Sequence, residues 1–167
     1  MRRAVLRASL VSGVVMGLGD AVRQKIASDG PVDTASVARF ALVGATLHGP
    51  YFLAGFGWID RLRIPRVMAS GSIRPVLYKT VVTQFTIFPV FVCLMYTYLG
   101  LLEGVPLRDI VREKGAAARA TLGAGLLFWP PANVLNFGLV PSAYRAYYAA
   151  CAGVGWNSVV SYLNAKK

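Results

Sequence analysis

The chain has 167 residues and a net charge of +11, with 56% hydrophobic residues, 15% charged residues and a mean hydropathy of +0.53. A soluble domain usually has about 45–50% apolar and about 25% charged residues, so the composition excludes an ordinary soluble domain. With only Cys93 and Cys151, a secreted disulfide scaffold is excluded as well. The basic charge leaves nucleic-acid binding open until the charges are placed along the chain.

Charge-free stretches give the best indication of membrane spans, because about 20 helical residues cross the hydrocarbon layer. Uncharged stretches occur at residues 8–19, 40–59, 80–102, 120–144 and 146–164. We therefore predict an all-α, polytopic membrane bundle that forms a single domain over residues 1–167. Its four transmembrane helices are predicted at residues 5–26, 36–60, 76–101 and 138–163.

A further helix is predicted between the third and fourth spans, over residues 106–131. Its first half alternates apolar and charged residues, which is typical of an amphipathic helix at a membrane surface. Its second half is apolar enough to enter the bilayer as a re-entrant segment. Pro130 and Pro131 lack backbone donors, so a break is predicted after Trp129. Whether residues 116–131 span the membrane is left open by the sequence.

The charges divide unevenly between the two sides of this four-span arrangement. The side with both termini has one acid, Asp60, and ten basic residues: Arg2, Arg3, Arg7, Arg61, Arg63, Arg66, Arg74, Lys79, Lys166 and Lys167. The other side has six acids and seven basic residues: Arg23, Lys25, Arg39, Arg108, Arg112, Lys114 and Arg119. Lys and Arg favour the retained side, so we predict both termini in the matrix of a mitochondrial inner membrane. Topology thus explains most of the basic charge, and no specific nucleic-acid partner is predicted.

The N-terminal segment has two possible interpretations. The first 19 residues contain three arginines and no acid, as a mitochondrial targeting sequence does. A first transmembrane helix with basic flanking residues would have the same composition.

Catalytic patterns are missing from the sequence. His48 is the single histidine, so a histidine-rich metal site is not expected, and no phosphate-binding glycine loop occurs. We therefore predict a protein that is not an enzyme and that has no metal site and no cofactor.

Small residues recur every four positions on two predicted spans. Ser9, Gly13 and Gly17 share one face of the first helix, and Ala149 and Gly153 share a face of the last. Such spacing allows membrane helices to approach closely. Packing within the bundle is favoured over a homo-oligomer interface.

Polar residues at membrane depth are the candidate functional residues: Asp20, Gln24, His48, Gln84, Asn133, Asn136, Arg145 and Asn157. Such residues usually face the bundle interior or a water-filled path. Two interpretations stay open, a hydrogen-bond network that fixes the bundle and the lining of a pore. Arg145 requires an anionic partner, for which Asp20 is one possible choice.

The C-terminal part of the chain resembles a known family signature. It consists of Trp129-Pro130-Pro131-Ala132-Asn133-Val134-Leu135-Asn136-Phe137-Gly138-Leu139-Val140-Pro141, then Tyr144-Arg145 and Gly155-Trp156-Asn157-Ser158. Earlier matches follow in the same order: Gly19-Asp20 with Gln24, Gly49-Pro50 with Asp60, and Lys79 with Gln84 and Pro89. On these residues the chain resembles the Mpv17/PMP22 family of mitochondrial and peroxisomal membrane proteins. It departs from the family pattern where Thr83 replaces a usual Asp and Leu53 a usual His.

The resemblance implies a four-span protein of the mitochondrial inner membrane or, alternatively, of the peroxisomal membrane. Family members are proposed to form channels for small solutes, and one is linked to mitochondrial DNA and nucleotide maintenance. The first hypothesis is a small-metabolite channel lined by Asp20, Gln24, Gln84, Asn136, Arg145 and Asn157. The alternative is a non-conducting scaffold or accessory subunit of a larger inner-membrane assembly. Expected partners are the lipid bilayer, including cardiolipin, and copies of the chain or other subunits.

Overall fold

The computed structural model describes residues 2–62 and 72–165, with side chains as far as Trp156. All regular elements in these ranges are helical, as predicted. They are α1 (Arg2–Ala27), α2 (Thr34–Val43), a π-helical turn (Gly44–His48), α3 (Gly49–Arg61), α4 (Arg74–Val82), a second π-helical turn (Thr83–Ile87), α5 (Phe88–Leu102), α6 (Leu107–Leu139), a 3-10 turn (Ser142–Tyr144) and α7 (Arg145–Ala165).

Two of the predicted spans contain a π-helical turn, and a proline follows each of these turns. One residue separates each π turn from Pro50 or Pro89. A proline lacks the backbone donor and crowds the carbonyl one turn earlier, and a widened turn accommodates that crowding. Thr46 and Thr86 in these turns donate hydrogen bonds to the carbonyls four residues before them, at 2.7 and 2.6 Å. Helix therefore continues through both prolines.

The first compact unit consists of residues Met1–Tyr51 and Ala146–Lys167. In it, α1 runs antiparallel to α2 and the first π turn. A Cβ atom on Gly44 would lie 2.4 Å from the carbonyl oxygen of Ser12, and one on Gly49 would lie 2.5 Å from that of Ala8. The two backbones are therefore in contact, and only glycine fits at these crossings.

The second compact unit consists of residues Phe52–Arg145. In it, the remainder of α3, the continuous α4–α5 helix and α6 pack against one another through aromatic rings. The ring centroids lie 4.8 Å apart for Phe52 and Phe91, 5.6 Å for Phe56 and Phe137, and 5.9 Å for Phe88 and Trp129. These contacts form the apolar core of this unit.

Helix α6 corrects the prediction of a break after Trp129. It is a single helix of 33 residues that continues through Pro130 and Pro131. Ring packing of Trp129 before the prolines and of Phe137 after them fixes both halves, which offsets the lost backbone hydrogen bonds. The predicted fourth span is wrong at its start as well, because α6 extends to Leu139 and α7 begins at Arg145.

Helix α6 lies antiparallel to α4–α5 along almost the whole length of that helix. Gly100 is near Ile110 at one end, the Tyr96 and Thr121 hydroxyls are 2.8 Å apart, and Gly138 is near Val76 at the other end. At 1.5 Å per residue, α6 is about 50 Å long, more than the hydrocarbon thickness of about 30 Å. The chain thus returns to the end of this unit at which α4 begins.

Two helices in the described ranges are long and apolar enough to cross a membrane. They are Arg2–Ala27 and Arg74–Leu102, in which a stretch of 18 residues has a mean hydropathy of 1.5 and 1.9, respectively. On α1, large apolar side chains repeat every four residues and are about three-fifths exposed: Leu6, Leu10, Val14 and Leu18. A continuous exposed apolar stripe of this kind fits contact with lipid.

Candidate functional site

Asp20 is the centre of a buried hydrogen-bond network in the first unit. Its side chain is fully buried on α1, and its carboxylate accepts a hydrogen bond of 2.9 Å from Arg23 Nε. The second oxygen accepts 2.8 and 2.7 Å hydrogen bonds from Gln24 Nε2 and Ser36 Oγ. Three donors therefore hold this carboxylate between α1 and α2.

Gln24 connects the same network to the start of α2. Its Nε2 donates to the Asp33 carbonyl at 3.2 Å, and its Oε1 accepts from the Asp33 backbone N–H at 2.6 Å. The Asp33 side chain caps α2 by accepting from the Ser36 backbone N–H at 3.0 Å. Asp20 and Gln24 thus fix the connection between α1 and α2.

His48 lies at the end of the first π turn and faces α1. Its Nδ1 is 3.2 Å from Ser12 Oγ, and both residues are buried. The pair lies close to the Gly44 and Gly49 crossings, where the α1 backbone is in contact. This places His48 in the helix interface of the first unit.

A cluster of three charged residues lies in the second unit; we call Asp60, Lys79 and Arg145 the ion cluster. Lys79 Nζ donates to Asp60 Oδ1 at 2.7 Å, and Arg145 Nη1 donates to the same oxygen. Arg145 Nε also donates to the Val140 carbonyl at 3.2 Å, and its guanidinium lies 5.1 Å from the Phe137 ring centroid. One carboxylate therefore pairs with two cations, one of which is also fixed by a ring and a carbonyl.

The ion cluster corrects the partner proposed for Arg145 from the sequence. Its anion is Asp60, whereas Asp20 is bonded to Arg23, Gln24 and Ser36. The sequence places Asp60 and Lys79 only among the connector charges and in the motifs of the family resemblance. The sequence does contain a signal that indicates Asp60 as the partner. Asp60 is the single acid among the ten basic residues on the predicted side that has both termini.

A second group of buried polar side chains in this unit has side-chain atoms without a hydrogen-bond partner among the described residues; we call Thr80, Thr83, Gln84 and Asn136 the buried polar group. Thr80, Thr83 and Gln84 are spaced to share one face of the continuous α4–α5 helix, and Asn136 lies on α6, which packs against that helix. Within the described residues, both amide atoms of Asn136, Gln84 Oε1 and the two threonine hydroxyls have no hydrogen-bond partner. All four side chains are at most 5% exposed.

The residues predicted to pack helices lie in different surroundings. A Cβ on Gly13 would lie 3.1 Å from the Ala41 carbonyl oxygen, and one on Gly17 would lie 3.1 Å from Ala41 Cβ. Ser9 is half-buried, and a Cβ on Gly153 would meet no atom within 4 Å.

The signature residues also differ in their placement. Trp129, Phe137 and Trp156 are buried, and Pro130 is half-buried within α6. Pro141 is exposed just after α6, and the side chain of Asn157 lies outside the described residues.

Long apolar helices, contacts through small residues and buried polar groups define a helical membrane protein. The chain belongs to the Mpv17/PMP22 family, whose model matches residues 100–161. A protein SYM1 of Eremothecium gossypii is 30% identical over 160 residues, which cover 93% of this chain and 86% of that relative.

Two further relatives cover nearly the whole chain. The mitochondrial inner membrane protein Mpv17 of Caenorhabditis briggsae is 28% identical over 96% of this chain and 86% of its own length. A protein sym1 of Aspergillus oryzae is 26% identical over 98% of this chain and 92% of its own length. These names support a mitochondrial inner-membrane location. No solved structure matches the chain significantly.

Proposed function

We propose that this protein is a channel-like pore for small solutes in the mitochondrial inner membrane, with no catalytic activity. The observation that carries the proposal is the buried polar group, Thr80, Thr83, Gln84 and Asn136, in which five side-chain atoms lack a hydrogen-bond partner within the described residues. The relative named a mitochondrial inner membrane protein supports the location.

Unpaired polar atoms are costly in the interior of a membrane protein. Each buried donor or acceptor without a hydrogen bond costs about 1–3 kcal/mol of folding free energy. The buried polar group has five such atoms. Water or a polar solute passing along α4 and α6 would supply the missing hydrogen bonds. A hydrated path along these two helices therefore accounts for four polar side chains on otherwise apolar surfaces.

The proposed path differs from the set of lining residues expected from the sequence. Asp20 and Gln24 are occupied by hydrogen bonds that join α1 to α2, so we assign them to the framework. Gln84 and Asn136 stay in the path, and Thr80 and Thr83 are added. Arg145, the first residue of α7, is assigned to the ion cluster.

The helix arrangement of the second unit also changes the number of crossings that we propose. Because α6 lies along the apolar helix Arg74–Leu102, a membrane crossed by that helix is crossed by α6 too. Its charge-free part, residues 120–139, is 20 residues long, which is enough for the hydrocarbon layer. Residues 107–139 therefore add one crossing to the four expected from the sequence.

The test compares two threonines of the same π turn in proteoliposomes. Thr83→Val removes a buried, unpartnered hydroxyl, whereas Thr86→Val removes an exposed hydroxyl that bonds to the Val82 carbonyl. We expect solute flux through the wild-type protein, a flux several-fold lower in Thr83→Val and Asn136→Leu, and little change in Thr86→Val. Wild-type vesicles that are no more permeable than protein-free vesicles would reject the channel.

A non-conducting scaffold or accessory subunit is the second candidate. The fully bonded carboxylate of Asp20 favours it, because such a network serves rigidity rather than passage. Mild detergent extraction followed by a native gel distinguishes the two. Stable migration with a large assembly, together with silent vesicles, would favour the scaffold.

A further inference from the structure

We propose that the ion cluster, Asp60, Lys79 and Arg145, binds a phosphate oxyanion, as found in the headgroup of an anionic lipid or in free phosphate. The proposal does not depend on whether the chain conducts solutes. It rests on the charge balance, the orientation of Arg145 and the position of the cluster in the second unit.

The charge balance leaves one positive charge uncompensated. Lys79 and Arg145 both donate to a single oxygen, Asp60 Oδ1, so the cluster has two cations and one anion. The three side chains are between 11% and 25% exposed, so water screens them only partly. An uncompensated cation is costly in such surroundings, and one additional negative charge would balance it. A phosphodiester carries one negative charge.

The guanidinium of Arg145 is held in a fixed orientation with donors to spare. Its Nε bonds to the Val140 carbonyl, its Nη1 bonds to Asp60, and its carbon lies over the Phe137 ring. Its Nη2 donates to no described residue, and Lys79 Nζ uses one of its three donors. A planar guanidinium beside an ammonium group matches the oxygens of a tetrahedral phosphate.

The sequence next to the cluster is strongly basic. Between Arg61 and Lys79 the chain has five basic residues and no acid. Arg61 and Arg74 are exposed at the ends of α3 and α4 that lie nearest the cluster in sequence. The charge-free helix 80–102 begins directly after Lys79. In a membrane crossed by this helix, the end of its charge-free stretch would lie at the level of the lipid phosphates, and basic pockets at that level bind anionic headgroups.

The experiment uses the purified full-length protein in detergent and measures two probes separately. The first arm adds cardiolipin or phosphatidylcholine and counts bound lipids by native mass spectrometry. The second arm titrates inorganic phosphate against chloride at matched ionic strength and follows thermal unfolding. We expect a bound cardiolipin with little retained phosphatidylcholine if the source is lipid, and stabilisation by phosphate if it is the free anion. The absence of both effects in the wild-type protein overturns the proposal without any variant.

Two substitutions in the cluster should act in opposite directions. Lys79→Gln removes the ammonium charge and should weaken anion binding about tenfold, as expected when one charge-assisted hydrogen bond is lost. Asp60→Asn removes the competing carboxylate and should strengthen anion binding several-fold. Arg112→Gln, an exposed arginine near the start of α6, is the charge-matched control and should leave binding unchanged.

A purely structural ion cluster would give a different pattern. Both Asp60→Asn and Lys79→Gln would then lower the unfolding temperature, and neither would alter the bound anion. Equal losses of anion binding in Lys79→Gln and Arg112→Gln would indicate that the anion responds to the overall charge of the protein. That result would also overturn the proposed site.

Discussion

The Ser36 hydroxyl lies 2.7 Å from the carboxylate of Asp20, across 16 positions of sequence, and donates a hydrogen bond to it. Asp20 is fully buried, and Arg23 and Gln24 occupy its remaining acceptor positions. A charge buried at this depth is stable only because several donors converge on it. The contact makes α1 and α2 one structural unit in a chain with few polar side chains.

Replacement of Asp20 should therefore affect stability more than passage of solutes. Asp20→Asn removes the charge and at least one acceptor, and we expect a loss of about 2–4 kcal/mol in unfolding free energy. Ser36→Ala should cost about 1 kcal/mol, because the other donors remain. Denaturant unfolding in detergent measures both. Normal stability with changed solute flux in Asp20→Asn would instead place this carboxylate in the path.

Glycine crossings in the first unit should tolerate no side chain. Gly44→Ala would place a methyl group 2.4 Å from the Ser12 carbonyl, and separating the helices should cost about 1–3 kcal/mol. Gly57→Ala is the control, because a Cβ there meets no atom within 4 Å and alanine favours helix. The thermal unfolding temperature should therefore be lower in Gly44→Ala than in the wild-type protein, and equal or higher in Gly57→Ala. Equal losses in both would contradict backbone contact at Gly44.

The helical class and the first three helical stretches could be predicted because they depend on local composition. The stretches expected at 5–26, 36–60 and 76–101 lie within α1, α2–α3 and α4–α5. Helix α6 could not be predicted in the same way. Two consecutive prolines indicate a break, whereas the packing of Trp129 and Phe137 on either side of them involves rings distant in sequence.

The polar residues show a similar limit. Depth in an apolar stretch identifies Asp20, Gln84 and Arg145 as unusual, but it does not identify their partners. Asp60 lies 85 positions from Arg145, and a helix end rather than a helix centre supplies it. Such a pairing depends on the direction of α6. The sequence predicts a break at the prolines of this helix, so it does not predict that direction.

Within the ion cluster, Asp60 should be coupled more strongly to Arg145 than to Lys79. A double-mutant cycle of Asp60→Asn with Arg145→Gln should give a coupling of about 1–3 kcal/mol, within the usual range for residues in contact. The cycle with Lys79→Gln should give less, because the carbonyl of Val140 and the Phe137 ring additionally fix Arg145. The exposed pair Arg112 and Asp109, at 3.6 Å, is the control and should couple by less than about 1 kcal/mol. A coupling of Arg145 as small as that of the control pair would contradict the cluster geometry.

The two ends of α6 should be accessible from opposite sides of the membrane. Leu107→Cys and Ser142→Cys introduce single exposed thiols at these ends once Cys93 and Cys151 are replaced by serine. Because the five basic residues between positions 61 and 79 favour the matrix, position 142 should react with an impermeant maleimide only from the matrix side. Position 107 should react from the intermembrane space. Labelling of both thiols from the same side would contradict a crossing by α6. It would favour the arrangement predicted from the sequence, in which a re-entrant segment accompanies four crossings and both termini lie in the matrix.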